Sequence, residues 1–170
     1  MSCSTPDASP LDGTPAAVLT VSDSCSRGEK KDLSGPAVEE GLKRRGFQVV
    51  ARGLVEDDRS AIQNKLIDMC RSARLVVTTG GTGIAPRDVT PEATRAVCGR
   101  LVEGIAEHMR ADGMGKTRFA ALSRAVCGVR GTSLILNLPG SPAGAVEALE
   151  AVADLLPHAL ELIAGRTEHG

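Results

Sequence analysis

The chain has 170 residues, 42% of them apolar and 24% charged, with a formal charge of −1, which suits one soluble globular domain with a sizeable core. Charge is spread along the chain, and there is no Trp, no Tyr and only two Phe, so neither a basic nucleic-acid footprint nor aromatic stacking platforms are present. No apolar run approaches a membrane span, no basic-then-apolar leader opens the chain, and five cysteines and three histidines fall without metal-ligand spacing, pointing to a cytoplasmic protein with idle thiols.

Residues 1–15 are rich in Ser, Thr, Pro, Asp and Gly, the composition of a disordered tail, which leaves 16–165 as a single domain. Residues 16–21 read as a first strand and 22–31 as a polar loop. Ser34-Gly35-Pro36 is a cap-plus-proline signal for a helix that Gly46 ends. A second strand covers 47–55. Over 58–70, Ile62, Leu66, Met69 and Cys70 follow the i, i+4, i+7, i+8 stripe of a helix packed on a sheet. Residues 75–79 are a short β-branched run, hence a buried strand.

That strand empties into Gly80-Gly81-Thr82-Gly83, where the backbone is free to approach a ligand. A helix restarts at Thr90-Pro91-Glu92, with Thr90 as its expected cap, and runs to about Cys98. Strand, glycine turn and helix together aim bare N–H groups at an anion, usually phosphate. Neither common nucleotide fingerprint fits: Pro86 occupies the third dinucleotide-motif glycine, and the Walker lysine is missing. Beyond lie a helix over 102–112, a flexible break at 113–116, and a hairpin pairing 126–129 with 133–136. A last helix begins at Ser141-Pro142 and is kinked or restarted at Pro157.

Alternating strands and helices predict an α/β fold of three layers, α/β/α, with a mostly parallel sheet and a late antiparallel hairpin. Ligands collect at the carboxyl ends of such strands. Ser22-Asp23-Ser24, Gly80-Gly81-Thr82-Gly83 and Pro139-Gly140-Ser141 all fall there, so three loops make one pocket. Carboxylates at Asp23, Asp57 and Asp88 would repel a polyphosphate unless a cation bridged them, which points to Mg²⁺.

Thr79-Gly80-Gly81-Thr82-Gly83, followed by Pro86-Arg87-Asp88-Val89-Thr90-Pro91-Glu92-Ala93-Thr94, resembles the signature of the MoaB/Mog family. Within it the chain is most similar to molybdopterin adenylyltransferases, including the G domain of gephyrin. Thr20-Val21-Ser22-Asp23-Ser24, Leu122-Ser123-Arg124 with Gly128-Val129-Arg130-Gly131, and Leu134-Ile135-Leu136-Asn137-Leu138-Pro139-Gly140-Ser141 agree in order. The match spans residues 16–163.

The resemblance implies a molybdopterin-binding-like fold and adenylyl transfer from ATP to molybdopterin with Mg²⁺. It also implies a homotrimer and a separate molybdenum-insertion protein downstream. It puts catalytic and metal-holding roles on Asp57 and Asp88, and substrate contacts on Ser22, Asp23, Ser24, Gly80, Gly81, Thr82, Gly83, Ser123, Pro139, Gly140 and Ser141. The family's Pro-Asp pair after the second strand is here Glu56-Asp57-Asp58. Asp57 is preferred because Asp58 is well placed to cap the next helix. Asp23 reads almost equally as a loop-holding residue, and Arg124 as a phosphate or a subunit contact. Lys30, Lys31, Arg44 and Arg45 read as solvated. The alternative function is a non-catalytic molybdopterin carrier of the MoaB type.

Overall fold

The computed structural model describes residues 11–166. Its strands are β1 (Pro15–Val21), β2 (Gln48–Val55), β3 (Leu75–Thr79), β4 (Arg100–Leu101), β5 (Cys127–Arg130) and β6 (Ser133–Leu138). They form one sheet in the order β2-β1-β3-β6-β5-β4. The first four run parallel, while β5 is antiparallel to both β6 and β4. The hairpin turns at Gly131, whose φ of 56° lies where side chains are disfavoured.

Helices α1 (Asp23–Ser26), α2 (Ser34–Arg44), α3 (Arg59–Met69), α4 (Thr90–Val97), α5 (Glu103–Met114), α6 (Pro142–Val152) and α7 (Leu156–Ile163) complete the fold, with short 3₁₀ turns at Arg118–Leu122 and Ala153–Leu155. Alternation along the strands sends side chains to opposite faces and divides the core in two. Val18, Val77 and Leu136 join Leu42 of α2, Met109 of α5, Leu149 of α6 and Leu156 of α7 on one face. Leu19, Val76 and Ile135 join Ile62 and Leu66 of α3 and Ala93 of α4 on the other. β3 and β6 are buried throughout because both their faces are covered. β2, at the sheet edge, has no fully buried residue.

The three-layer, mostly parallel architecture is the predicted one, but local differences matter. The expected tail to residue 15 already has structure from Leu11, which is 5% exposed and packs in the core, while residues 1–10 lie outside the described region. Gly13 N–H bonds the Gly46 carbonyl at 3.0 Å, so the turn before β1 is stitched to the turn before β2. The polar loop after β1 contains the one-turn helix α1. β4 lacks any periodic signal because it has only two residues, and α5 continues through Gly113 to Met114, into the first half of the predicted break.

Two capping predictions fail for one reason. Ser34 and Thr90 open α2 and α4, but neither caps its helix. The Ser34 hydroxyl instead shares a buried 2.8 Å hydrogen bond with Thr79, and Thr90 donates to the Gly80 carbonyl at 3.0 Å. Burial at the strand ends makes those bonds worth more than an exposed cap. Asp32 receives the α2 amide of Gly35 at 3.0 Å in Ser34's place.

Asn137 is fully buried and fully used. Its amide donates to the hydroxyls of Thr78 (3.0 Å) and Thr94 (2.9 Å), and its oxygen accepts from Val126 N–H at 3.1 Å. It thereby ties β6 to β3, α4 and the approach to β5. Asn137→Ala is expected to strand the Val126 N–H and open a small cavity, costing on the order of 3 kcal/mol. Urea unfolding of the variant measures that loss.

Candidate active site

Parallel pairing puts the strand ends level. Thr79 lies opposite both Thr20 and Leu138, and Thr20 opposite Leu54. Just past those rungs come Ser22, Glu56, Gly80 and Pro139, so the loops after β1, β2, β3 and β6 emerge along one edge. Two hollows open there, separated by a ridge formed of the glycine turn and the start of α6. One, of about 440 Å³, is lined by Ser22, Ser24, Asp57, Gly80, Gly81, Asp88 and Gly140, with Lys30 and Lys31 on its wall. The other, of about 320 Å³, is lined by Thr82, Gly83, Ser123, Pro139 and Ser141, with apolar walls from Met109, Phe119, Leu122 and Ala148.

The glycine turn is built for close approach. Gly80 has φ 90° and Gly81 φ 69°. A Cβ on Gly80 would collide with the Val21 carbonyl oxygen, and one on Gly81 with the Thr90 hydroxyl. Gly80 N–H donates to the Leu138 carbonyl at 3.1 Å, and Thr90 N–H donates to the Gly81 carbonyl at 3.1 Å. The N–H groups of Gly81, Thr82 and Gly83 have no partner among the described residues. Three consecutive free donors at a turn make a cradle for an anion. The start of α6 adjoins them, its Ser141 hydroxyl capping Gly144 N–H at 3.2 Å; its dipole adds to the attraction for anions.

Asp23 and Asp57 lock the first two loops together. Asp57 Oδ2 accepts from Asp23 N–H at 2.9 Å, and Asp23 Oδ1 accepts from Asp57 N–H at 3.0 Å. Arg87 then grips both oxygens of Asp23, at 2.6 and 2.9 Å. Asp23 thus has no oxygen to spare and lines neither hollow; it fastens loops. The Arg87 fork, helped by the Asp57 N–H, holds the Asp23 carboxyl down at about 2, so it stays ionised across any working pH.

Asp57 behaves oppositely. Burial, then the nearby carboxylates of Asp23 and Asp88, push its acid above the ordinary carboxylate range, while the Asp23 N–H pulls the other way. Folding favours its protonated form, so the stability this shift contributes is complete below the unfolded-state value. It is lost as pH rises through the folded-state value. Asp58 is not in the cleft: it caps α3, accepting Ala61 N–H at 2.8 Å.

Asp88 Oδ2 accepts from Ala85 N–H at 3.0 Å, closing the loop after the glycines. Among the described residues no hydrogen bond reaches Oδ1 of either Asp57 or Asp88. Arg124, left open between phosphate and subunit contact, is occupied within the chain. Its guanidinium donates to the carbonyls of Gly83 (2.8 Å) and Asp88 (2.7 Å) and pairs with Glu92. It shapes the loop that carries Asp88.

The predicted site residues therefore divide across the ridge. Ser22, Ser24, Asp57, Gly80, Gly81, Asp88 and Gly140 lie on the polar side, and Thr82, Gly83, Ser123, Pro139 and Ser141 on the apolar side. Lys30 and Lys31, which read from the sequence as solvated, line the polar hollow, and the walls from α5 and the 3₁₀ turn carry no sequence expectation of a site. Phe119, one of two aromatics in the chain yet 64% exposed, was the available signal. No described group of three or more His, Cys, Asp or Glu forms a cage for a metal. Two carboxylates, each with one uncommitted oxygen, instead suit Mg²⁺ held jointly with substrate phosphates. Burial pushes the Cys98 thiol to about 11 and that of Cys127 to about 12, which disfavours these two as nucleophiles. No described helix is long and apolar enough to cross a membrane.

Comparison with known proteins gives the family of the chain. The family model described as a probable molybdopterin binding domain matches residues 17–158. The molybdopterin adenylyltransferase of Helicobacter pylori is 44% identical over 152 residues, covering 87% of this chain and 86% of that protein. The molybdenum cofactor synthesis protein cinnamon of Drosophila melanogaster is 42% identical over 151 residues, which is 86% of this chain but 25% of that protein. The chain thus spans about a quarter of the length of this longer relative. The crystal structure of the molybdopterin biosynthesis enzyme MoaB from Thermus thermophilus superposes with a TM-score of 0.83 at 52% identity, covering 89% of this chain and 97% of that one. With the glycine cradle and its sheet edge inside the matched region, the chain belongs to the molybdopterin-binding family of molybdenum cofactor biosynthesis.

Proposed function

We propose that this protein is a molybdopterin adenylyltransferase, converting ATP and molybdopterin to adenylyl-molybdopterin and pyrophosphate. The observation that carries the reading is the row of N–H groups at Gly81, Thr82 and Gly83, unpartnered among the described residues, on a turn whose Gly81 packs against the Asp57 carboxylate and whose Gly83 packs against that of Asp88. The name borne by the Helicobacter pylori relative supports it.

The glycine amides and the α6 N-terminus hold phosphate, and the cleft aligns the two reactants. The terminal phosphate of molybdopterin is an anionic nucleophile at neutral pH, so no Ser, His or Cys base is needed to attack the α-phosphorus. Asp57 and Asp88 would hold Mg²⁺, which when bound neutralises charge on the phosphate oxygens. Ser22, Ser24 and Gly140 line the phosphate side. Thr82, Ser123 and Ser141 edge the apolar hollow, which takes a flat heterocycle. The same reading makes the protein a cytoplasmic homotrimer that passes its product to a separate molybdenum-insertion protein.

Incubation with ATP, Mg²⁺ and molybdopterin tests the proposal through pyrophosphate release. Release that requires both substrates supports it. Molybdopterin binding without pyrophosphate supports instead a non-catalytic carrier of the MoaB type. Release that ignores molybdopterin points to another acceptor.

Ionised Asp57 is the form that holds a cation, so kcat/KM is expected to fall as pH drops through its raised value. The acid limb should lie above the ordinary Asp value of about 3.9. Added Mg²⁺ favours the ionised form and should move the limb to lower pH. A pH–rate profile at two Mg²⁺ concentrations checks this; a limb that stays still removes Asp57 from metal binding.

A further inference from the structure

The loop between α1 and α2 carries Lys30 and Lys31 into the lining of the polar cleft, alongside Asp57, Gly80, Gly81 and Asp88. Its backbone is pinned on both sides of the pair. The N–H groups of Glu29 and Lys30 donate to the Ser24 carbonyl at 2.9 and 3.3 Å. Asp32 accepts from the Thr20 hydroxyl at 2.8 Å and from Gly35 N–H at 3.0 Å.

The acids flanking the lysines are already engaged. Arg27 holds both oxygens of Glu29, at 2.8 and 3.2 Å. Besides Thr20 and Gly35, Asp32 meets Arg52 at 3.5 Å. Arg87, on the loop after the glycine turn, is committed to Asp23. Among the described residues neither lysine forms an ion pair, and they are the two cationic side chains lining this cleft. A fixed backbone thus presents two uncommitted ammonium groups beside a phosphate cradle.

Adenylyl transfer gives such groups a task. A molybdopterin phosphate oxygen bonds to the α-phosphorus while the bond from that phosphorus to the α,β-bridging oxygen breaks. The electron pair leaves with pyrophosphate, whose charge rises. Cations placed where that charge develops lower the barrier.

We propose that Lys30 and Lys31 bind the β- and γ-phosphates of ATP and stabilise the departing pyrophosphate. This rests on the adenylyltransferase reading. Both side chains are exposed, so their replacement leaves the core intact.

The test combines steady-state kinetics with direct calorimetric binding of pyrophosphate in the presence of Mg²⁺, for the wild type, the double variant K30M/K31M and the double variant K30R/K31R. Loss of two charge-assisted contacts should weaken pyrophosphate binding and raise KM for ATP roughly tenfold or more. KM for molybdopterin and Tm should not change, and the arginine pair should restore most of the loss. Pyrophosphate binding and ATP KM within about twofold of wild type in K30M/K31M would overturn the assignment. So would an arginine variant as impaired as the methionine one, because packing rather than charge would then be at work. Wild-type protein that releases no pyrophosphate defeats the adenylyltransferase reading itself, a result visible before any lysine is changed.

Discussion

Replacing Asp88 by Ala is expected to lower kcat by roughly a thousandfold or more, as the several kcal/mol of charge stabilisation at a metal-assisted phosphoryl centre disappear, while molybdopterin binding is largely kept. Alanine also deletes the acceptor for Ala85 N–H and so loosens the loop. Asp88→Asn separates the two effects, because its amide oxygen can still accept from Ala85 and only the charge is lost. Equal loss of turnover in both variants, read as pyrophosphate released in a single turnover, assigns the effect to the carboxylate. Normal turnover in Asp88→Asn would take Asp88 out of the chemistry and leave it a loop-shaping role.

Gly80→Ala should be the most damaging single methyl at the site. The residue needs φ 90°, and a Cβ there meets a backbone oxygen, that of Val21, which cannot rotate away as a side chain would. The left-handed penalty of about 1–2 kcal/mol adds to the displacement of β1 or β3, for a total of about 3 kcal/mol and a Tm drop of about 6–12 °C. Gly80 also receives the Thr90 hydroxyl and donates to Leu138, so any shift carries α4 and the cradle with it. Thermal unfolding measures the first effect and pyrophosphate binding the second. A variant with wild-type Tm and binding would mean that the sheet edge yields more easily than close packing suggests.

Much of the architecture was legible in the chain. The β-branched run 75–79, the Ile62–Leu66–Met69 stripe and the cap-and-proline signals are local patterns, and local patterns record which face of an element is buried. Asp57 was favoured over Asp58 on a local ground, that Asp58 suits a helix cap, and Asp58 does cap α3. The signals that failed were those for which a distant partner competes. Thr90 had the makings of a cap, but the buried carbonyl of Gly80 accepts its hydroxyl, which therefore turned inward. Arg124 had the chemistry of a phosphate ligand but is taken up by Glu92 and by the Gly83 and Asp88 carbonyls.

The sequence by itself determined the layered α/β class, the glycine cradle and the family, because these rest on short-range periodicity and on residue types that must sit next to one another. Only the tertiary structure decided how the polar residues were shared out. It brought Arg87 across 64 positions to Asp23 and set Lys30 and Lys31 in the wall of the cleft. It also split the predicted contacts between a polar and an apolar hollow. Charged side chains reach several ångströms and pair with whatever the fold delivers, so their partners are a property of space rather than of sequence order.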